Sequence, residues 1–352
     1  MIAVGMEKGR SNHMASMKDI SIACGVSVAT VSKALNDHAD IGEETKLHIR
    51  RVAKEMGYLP NLSARALKTK RTYNLGVLFA DESQSGLTHD YFANVLDSFR
   101  LYAESRGYDI TFLNCSKTRK NRLSYLEHSR YRGLDGIVIA CIDFKDAEVI
   151  ELLQSQLPVV TIDHVFSERI TVASDNIRGM RDLLYYIYEM GHRRVAYIYG
   201  DDTSVTKDRL SSFYRAAEEL GLKIPDSYVL PGAYRDMRKA SCQTEHLLKQ
   251  KERPTCIIYP DDFAAVGGIN FLKSKGLRIP EDISVAGYDG LNIASQFEPI
   301  LTTIRQDTKT IGTTAAKKLI ELIEHPKTTL IELITVPGEL ERGGTVGGLL
   351  TK

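Results

Sequence analysis

The sequence predicts an α/β protein, with a small helical head followed by a two-lobed body of doubly wound parallel sheets. Three observations lead to this. Two short helical patterns flank a Gly-Val-Ser turn between Lys18 and Asn36, in KDISIACGVSVATVSKALN. From Asn74 onward, β-rich runs alternate with amphipathic helical patterns. A polar segment, Lys68-Thr69-Lys70-Arg71-Thr72, lies between the two regions. Strand–helix alternation implies βαβ units and parallel sheets. The strands are too many for one small sheet, so two lobes are the economical arrangement, with a ligand at the strand ends between them.

In the head, Ile20, Val26, Val31 and Ala34 supply an apolar face. Ser21 and Cys24 are small where two helices must cross closely. Gly25 tolerates the positive φ of a tight turn. Ser27 is a good N-cap for a second helix beginning at Val28. This pattern is a helix-turn-helix, and its second helix is the one that enters a DNA major groove. A third helix opens at Ile41-Gly42-Glu43-Glu44-Thr45, where acids favour the N-terminus. Leu47, Val52 and Met56 are expected on its apolar side, with Gly57 as the stop. Beyond it, Pro60 keeps the preceding residue out of the helical region. Asn61 caps a short helix to about Lys68. So short a helix is marginal alone, and a DNA complex is a natural source of stability.

Charge and composition bound the rest. The chain has 352 residues, enough for two or three domains, with 43% apolar and 26% charged residues. No run of about 18 apolar residues predicts a transmembrane helix, and the start lacks a signal-peptide core. Five cysteines, at 24, 115, 141, 242 and 256, have no metal-ligand spacing. They are expected to be reduced thiols in a cytoplasmic protein, with no zinc site and no cofactor. Met17 to Arg71 holds ten Lys/Arg against six Asp/Glu, within a chain whose net charge is +1. A basic head on a mildly acidic body fits DNA binding. Residues 1–16, with a vector-like Ser11–Ser16, are expected to be an expression leader and are set aside.

The expected organisation is a head over 17–60, a hinge helix and linker over 61–73, a body over 74–345 and a tail over 346–352. Expected strands are Leu75–Ala80, Ile110–Asn114, Gly136–Ala140, Val159–Ile162, Val195–Tyr199, Cys256–Tyr259, Ile283–Gly287 and Thr302–Arg305. Expected helices include Tyr91–Arg106, Ile177–Met190, Arg209–Leu220, Ala264–Lys275 and Thr310–Glu324.

The head resembles that of the lactose-repressor (LacI/GalR) family. Its matching residues are Gly25-Val26-Ser27, Thr30-Val31-Ser32, Asn36, and Gly57-Tyr58-Leu59-Pro60-Asn61 with Ala64-Arg65-Ala66-Leu67. The body continues the resemblance at Asp175-Asn176, Gly191-His192-Arg193-Arg194-Val195-Ala196, Arg209-Leu210 with Phe213, Ile279–Asp289, Leu301–Gln306 and Glu341-Arg342-Gly343. It covers roughly Met17 to Thr345. The resemblance implies a homodimer with a periplasmic-binding-protein-like body and three chain crossings between lobes. It implies a palindromic double-stranded DNA operator, a small-molecule effector and no membrane partner.

Site residues follow from both readings. Val28, Ala29 and Lys33 would face the groove floor, where a cation donates to guanine and apolar groups touch a thymine methyl. The family more often has Arg at Lys33's position, and lysine donates as a flexible point charge. The resemblance adds Ser27, Thr30, Ser32, Asn36, Tyr58, Asn61 and Ala64 to the DNA-binding set. It implies that two symmetry-related Leu67 side chains wedge into a minor-groove step, while Arg65 and Lys68 contact phosphate or groove.

Tyr91, Asp163, Arg209, Tyr234, Asp261, Asp289 and Gln306 are the expected effector-binding residues. Tyrosine faces stack on a sugar or base, arginine forks to hydroxyls or a carboxylate, and carboxylates accept from hydroxyls. Asp261-Asp262 departs from the family's Asn-Asp or Ser-Asp, and Asp289-Gly290 from its Asp-Asp. A sugar or sugar derivative is the expected effector, with a purine as the alternative.

No P-loop, GxGxxG after a strand, serine elbow or HExxH is present, so an enzyme is not expected. Asp201-Asp202 reads as a solvated loop pair. A sugar-transport binding protein is the rival outside transcription; the helix-turn-helix argues against it.

Overall fold

The computed structural model describes residues 15–58, 71–80, 86–113 and 123–349. It divides into two compact units between Thr72 and Tyr73. Asn61, Ala64, Arg65, Leu67 and Lys68, with the expected hinge helix, lie outside the described residues, as does Cys115.

The head consists of α1 (Met17–Cys24), α2 (Val28–Leu35) and α3 (Glu43–Glu55). Ser16, set aside with the leader, in fact caps α1. Its side chain accepts from the Asp19 N–H at 3.3 Å, and the Asp19 carboxylate accepts from the Ser16 N–H at 2.7 Å. This reciprocal pair is a capping box with Asp in the usual Glu/Gln position. Gly25 takes φ 66°, as the turn requires, and Ser27 caps α2 by accepting from the Thr30 N–H. Ile20, Val31, Ala34, Ile49 and Ala53 form the head's core, with Cys24, Val26, Val52 and Tyr58 packed on it.

One expectation for α3 fails. Leu47 is 64% exposed and Met56 is also exposed; the inward face belongs to Ile49 and Ala53. At 3.6 residues per turn, Leu47 lies about 160° round the helix from Ile49, so the two cannot share a face.

The body begins with β1 (Asn74–Phe79), α4 (Asp90–Ser105), β2 (Asp109–Phe112), α5 (Tyr125–Tyr131), β3 (Gly136–Ala140), α6 (Ala147–Gln154), β4 (Val159–Ile162) and β5 (Ile170–Ser174). It continues with α7 (Asn176–Glu189), β6 (Val195–Tyr199), α8 (Ser204–Glu219), β7 (Val229–Pro231), α9 (Met237–Leu248), β8 (Cys256–Ile258), α10 (Asp262–Ser274) and β9 (Ser284–Ala286). It ends with β10 (Thr303–Arg305), α11 (Thr308–Glu324), β11 (Leu333–Val336) and β12 (Glu339–Glu341). The first lobe is a parallel sheet in the order β11-β5-β4-β3-β1-β2, and the second a parallel sheet β7-β6-β8-β9. Strand β10 pairs antiparallel with β12 beside the second lobe.

The chain passes between lobes three times: from β5 into α7, from β10 into α11, and from β11 into β12. The middle passage is fixed by burial. Ile311, Ala315, Ala316, Leu319 and Ile320 of α11 join the first lobe's core with Val95 and Phe99 of α4. The central strands sit in continuous apolar runs, as doubly covered parallel sheets require; β3 and β4 are buried throughout. Cys24, Cys242 and Cys256 are free thiols. No helix among the described residues is long and apolar enough to cross a membrane.

Candidate nucleic-acid interface and ligand cleft

In the head, α2 carries a single charged residue, Lys33, in the sequence VATVSKAL. Val28, Ala29 and Lys33 are exposed together on one side, while Val31 and Ala34 are buried on the other. The inward pair orients the outward three. Ser27 and Asn36 close the two ends: Ser27 bonds the Thr30 hydroxyl at 2.9 Å, and the Asn36 amide donates to the Ser32 carbonyl at 2.7 Å. Thr30 and Ser32 are partly exposed beside this face, and Tyr58 packs on the head's core. Lys33 Nζ donates to Asp40 at 2.5 Å.

In the body, all seven expected ligand residues come to the carboxyl ends of strands or to the crossings between lobes. Asp163 directly follows β4 and accepts from the Tyr91 hydroxyl at 2.7 Å and the Ser174 N–H at 3.0 Å. Arg209, on α8, is only 2% exposed. Its guanidinium donates to Asn176 Oδ1 at 2.8 Å and the Pro260 carbonyl at 2.9 Å, and faces Asp289 at 3.5 Å. It lies 3.5 Å over the Tyr288 ring and 5.9 Å from that of Tyr234. Gln306 donates to Asp289 Oδ1 at 2.6 Å. Asp261 N-caps α10, taking the Ala264 N–H at 2.6 Å and the Arg235 N–H at 2.7 Å. Its neighbour Asp262 is wholly buried and accepts from Thr303 and the Leu291 N–H, which ties α10 to the strands.

Burial and charge act against each other here. Burial pushes the Asp163 carboxyl above its ordinary value, while the Tyr91 hydroxyl, the Ser174 N–H and Arg209 pull it back. Burial, with the Asp289 charge, pushes Asp261 up to about 7. Burial likewise raises the Tyr91 phenol, reinforced by Asp163. For Arg209, burial disfavours the cation, but the surrounding Tyr234, Tyr288 and Asp289 outweigh it and the guanidinium stays charged. Perturbed acids gathered in one cleft mark a binding site better than any one of them alone.

Part of the left-handed non-glycine backbone lies near this cleft, the rest at Asp37, Tyr73 and Glu168. Cys141 (φ 50°), Asp163 (φ 57°), Arg235 (φ 58°) and Asp289 (φ 102°) are non-glycine residues in the left-handed region. Three of them immediately follow a strand or lie within three residues of its end. Such conformations cost roughly 1–3 kcal/mol each and gather where a site needs them.

Two inter-lobe contacts frame the cleft. Arg235 reaches from the second lobe to Asp90 of α4 at 3.1 Å, its guanidinium lying over the Phe263 ring. Ser204 Oγ donates to the Asp163 carbonyl at 2.9 Å. At another point Lys145 meets Asp202 at 3.3 Å, so the Asp202 carboxylate is an ion-pair partner. Asn176, Thr206, Arg235 and Tyr288 join the site without being among the expected effector-binding residues, although Asn176 and Tyr288 lie in stretches that carry the family resemblance. Thr206 was legible: it lies one helical turn before Arg209, and it bonds the Tyr234 hydroxyl at 2.8 Å.

Comparison with known proteins agrees with this geometry. Residues 16–61 match the lacI family of bacterial regulatory proteins, and residues 184–346 match the periplasmic binding protein-like domain. A PurR transcriptional repressor of Haemophilus influenzae (strain PittEE) is 30% identical over 316 residues, covering 89% of this chain and 92% of the relative. The chain belongs to the lacI family of bacterial regulatory proteins.

As a LacI-family member it is a DNA-binding transcriptional repressor. A PurR repressor of Vibrio atlanticus (strain LGP32) is 29% identical over 88% of this chain and 92% of the relative. Among solved structures, a lac repressor dimer bound to operator and an anti-inducer aligns with TM-score 0.79 at 21% identity, over 95% of this chain and all of that one. A CelR–cellobiose complex aligns with TM-score 0.68 at 23% identity, over 94% and 99% of the two chains. At these identities the structures speak for the fold of this LacI-family chain.

Proposed function

We propose that this repressor binds a palindromic operator as a homodimer and is controlled by a small polyhydroxylated effector, a sugar or sugar derivative, held between the lobes. The observation that carries the effector reading is the donor–acceptor balance of the cleft. Asp163 and Asp289 act on Arg209, Asp261 on Arg235, and Tyr91 and Tyr234 supply aromatic faces. Carboxylates accept from hydroxyls, while aromatic faces cover the C–H side of a sugar ring. Arg209 donates hydrogen bonds to Asn176 and the Pro260 carbonyl and faces Asp289 as an ion pair at 3.5 Å, so not all of its five N–H groups are committed to protein acceptors.

In the head, Val28, Ala29 and Lys33 read bases. Ser27, Thr30, Ser32, Asn36, Tyr58, Asn61 and Ala64 line the DNA, Leu67 wedges the minor groove, and Arg65 and Lys68 hold phosphate or groove. Coupling runs through Tyr73, the first residue of the body, whose N–H donates to Asp135 of the first lobe at 2.7 Å. A ligand that changes the angle between lobes displaces this anchor relative to its twofold mate, and so the two hinges. Coupling of about 1–3 kcal/mol makes a useful switch. Acting on chromosomal DNA, the protein works in the cytoplasm.

A thermal-shift screen of sugars, sugar acids and purines, followed by gel shifts with and without each hit, tests the reading. A sugar that stabilises the body and changes operator affinity supports it. Stabilisation by a purine alone replaces the sugar with a flat stacked ligand; no ligand response at all removes the effector site.

A further inference from the structure

Lysine is a less pre-organised reader of bases than arginine, because its ammonium swings on a four-carbon stem and lacks the planar fork. In this chain the lysine is held. Lys33 Nζ donates to Asp40, seven residues on, at 2.5 Å, and both side chains are about half exposed. The turn that follows α2 divides its two acids between two helices. Asp37 is taken by Lys46 and Arg50 of α3, which leaves Asp40 to Lys33. With one ammonium proton committed to the carboxylate, two N–H groups of Lys33 remain for a partner.

We propose that Asp40 is a positioning residue for base reading: it holds Lys33 so that its two outward N–H groups act as an oriented pair of donors toward a guanine edge. The proposal rests on Lys33 as a base-contacting residue. The pair also cancels the only charge on α2, so that side of the helix contributes directed donors rather than a diffuse attraction for phosphate. In a mismatched complex the Asp40 carboxylate faces phosphate without recompense. Asp40 therefore favours the right sequence and disfavours the wrong one.

The test uses the full-length protein and fluorescence anisotropy. Binding-site selection supplies the operator, and the base pair whose preference disappears in Lys33→Ala is Lys33's own. Parent, Asp40→Asn, Lys33→Ala and the double variant are then titrated with three duplexes: operator, operator changed at that pair, and a scrambled sequence. Asp40→Asn is expected to lower the preference at that pair by roughly 1.5- to 5-fold per half-site, the scale of an exposed ion pair, and to tighten binding to the scrambled duplex. In the Lys33→Ala background it should not change the preference further. Lys33→Arg combined with Asp40→Asn should restore it, because the guanidinium fork needs no holder.

If Asp40→Asn tightens all three duplexes alike, or acts equally without Lys33, Asp40 is merely a repulsive charge and the proposal falls. A weaker operator complex with unchanged preference at that pair also overturns it. Parent-like operator preference in Lys33→Ala strikes the base-reading assignment, and this proposal with it. Altered preference in Lys33→Ala beside parent behaviour in Asp40→Asn strikes this proposal alone.

Discussion

Replacing Asp289 by Asn tests the ligand cleft while preserving its shape. Asp289 sits at φ 102°, where Asn and Asp are better tolerated than other side chains. The amide oxygen of Asn can still accept from Gln306, now at 2.6 Å. The loss is the negative charge facing Arg209 at 3.5 Å. Arg209 keeps Asn176 and the Pro260 carbonyl, so it is not stranded. A hydrogen bond to a charged group is worth about 1.5–3 kcal/mol, and relief of repulsion with Asp261 offsets part of it. The body should lose about 1–2 kcal/mol of stability. An effector hydroxyl that used this carboxylate loses an acceptor of the same class, about 10- to 150-fold in affinity. Calorimetry with the effector and thermal melts read both quantities, and effector-free operator affinity should stay within about twofold of the parent's. Parent-strength effector binding would refute the assignment. Arg209→Ala is the weaker experiment, because removing one side of a buried pair costs about 3–5 kcal/mol and confounds binding with folding.

Three further outcomes are expected. Leu67→Ala should weaken operator binding roughly tenfold or more, the scale of an unstacked base step, and reduce DNA bending in a circular-permutation gel while effector binding persists; unchanged bending refutes the wedge. Asp261→Asn should change the pH profile of the body. A carboxyl raised to about 7 by burial favours the fold below its unfolded value near 4, and that stability is lost as pH rises to about 7. The variant, which has nothing to ionise, should therefore gain stability relative to the parent from pH 5 to pH 8, and a constant difference contradicts the sign. Asp90→Asn should loosen the Arg235 contact between lobes and speed amide exchange in residues 232–236 up to about fivefold, with parent-like exchange arguing that the contact holds nothing.

Local signals made the head legible. Gly25 and Ser27 mark a turn and a cap that depend on neighbours in sequence, and both behave as expected. Leu47 was misplaced because a three-residue apolar list does not fix the phase of a helix; Ile49 does. Ser16 was missed because a cap can look like a tag. In the body, strands β1, β3, β4 and β6 announce themselves as buried apolar runs. Strands β7, β11 and β12 do not: they are short and partly exposed, and only pairing with distant strands makes them strands. The same distance hides chemistry. Arg209 meets Asn176 across 33 residues and Pro260 across 51, and Arg235 meets Asp90 across 145. No spacing rule reports such contacts. Residue type and family resemblance located the acids, but that Asp261 caps a helix and Asp262 braces one needed coordinates.

Ligand in the body is proposed to govern DNA reading by the head. The most direct measurement of that coupling is the operator dissociation constant of the full-length protein by anisotropy, with and without saturating amounts of a sugar that stabilises the body. A change of about 5- to 150-fold is expected, the range of ordinary allosteric coupling, and it should be lost in Asp289→Asn. Identical dissociation constants at saturating ligand would contradict it.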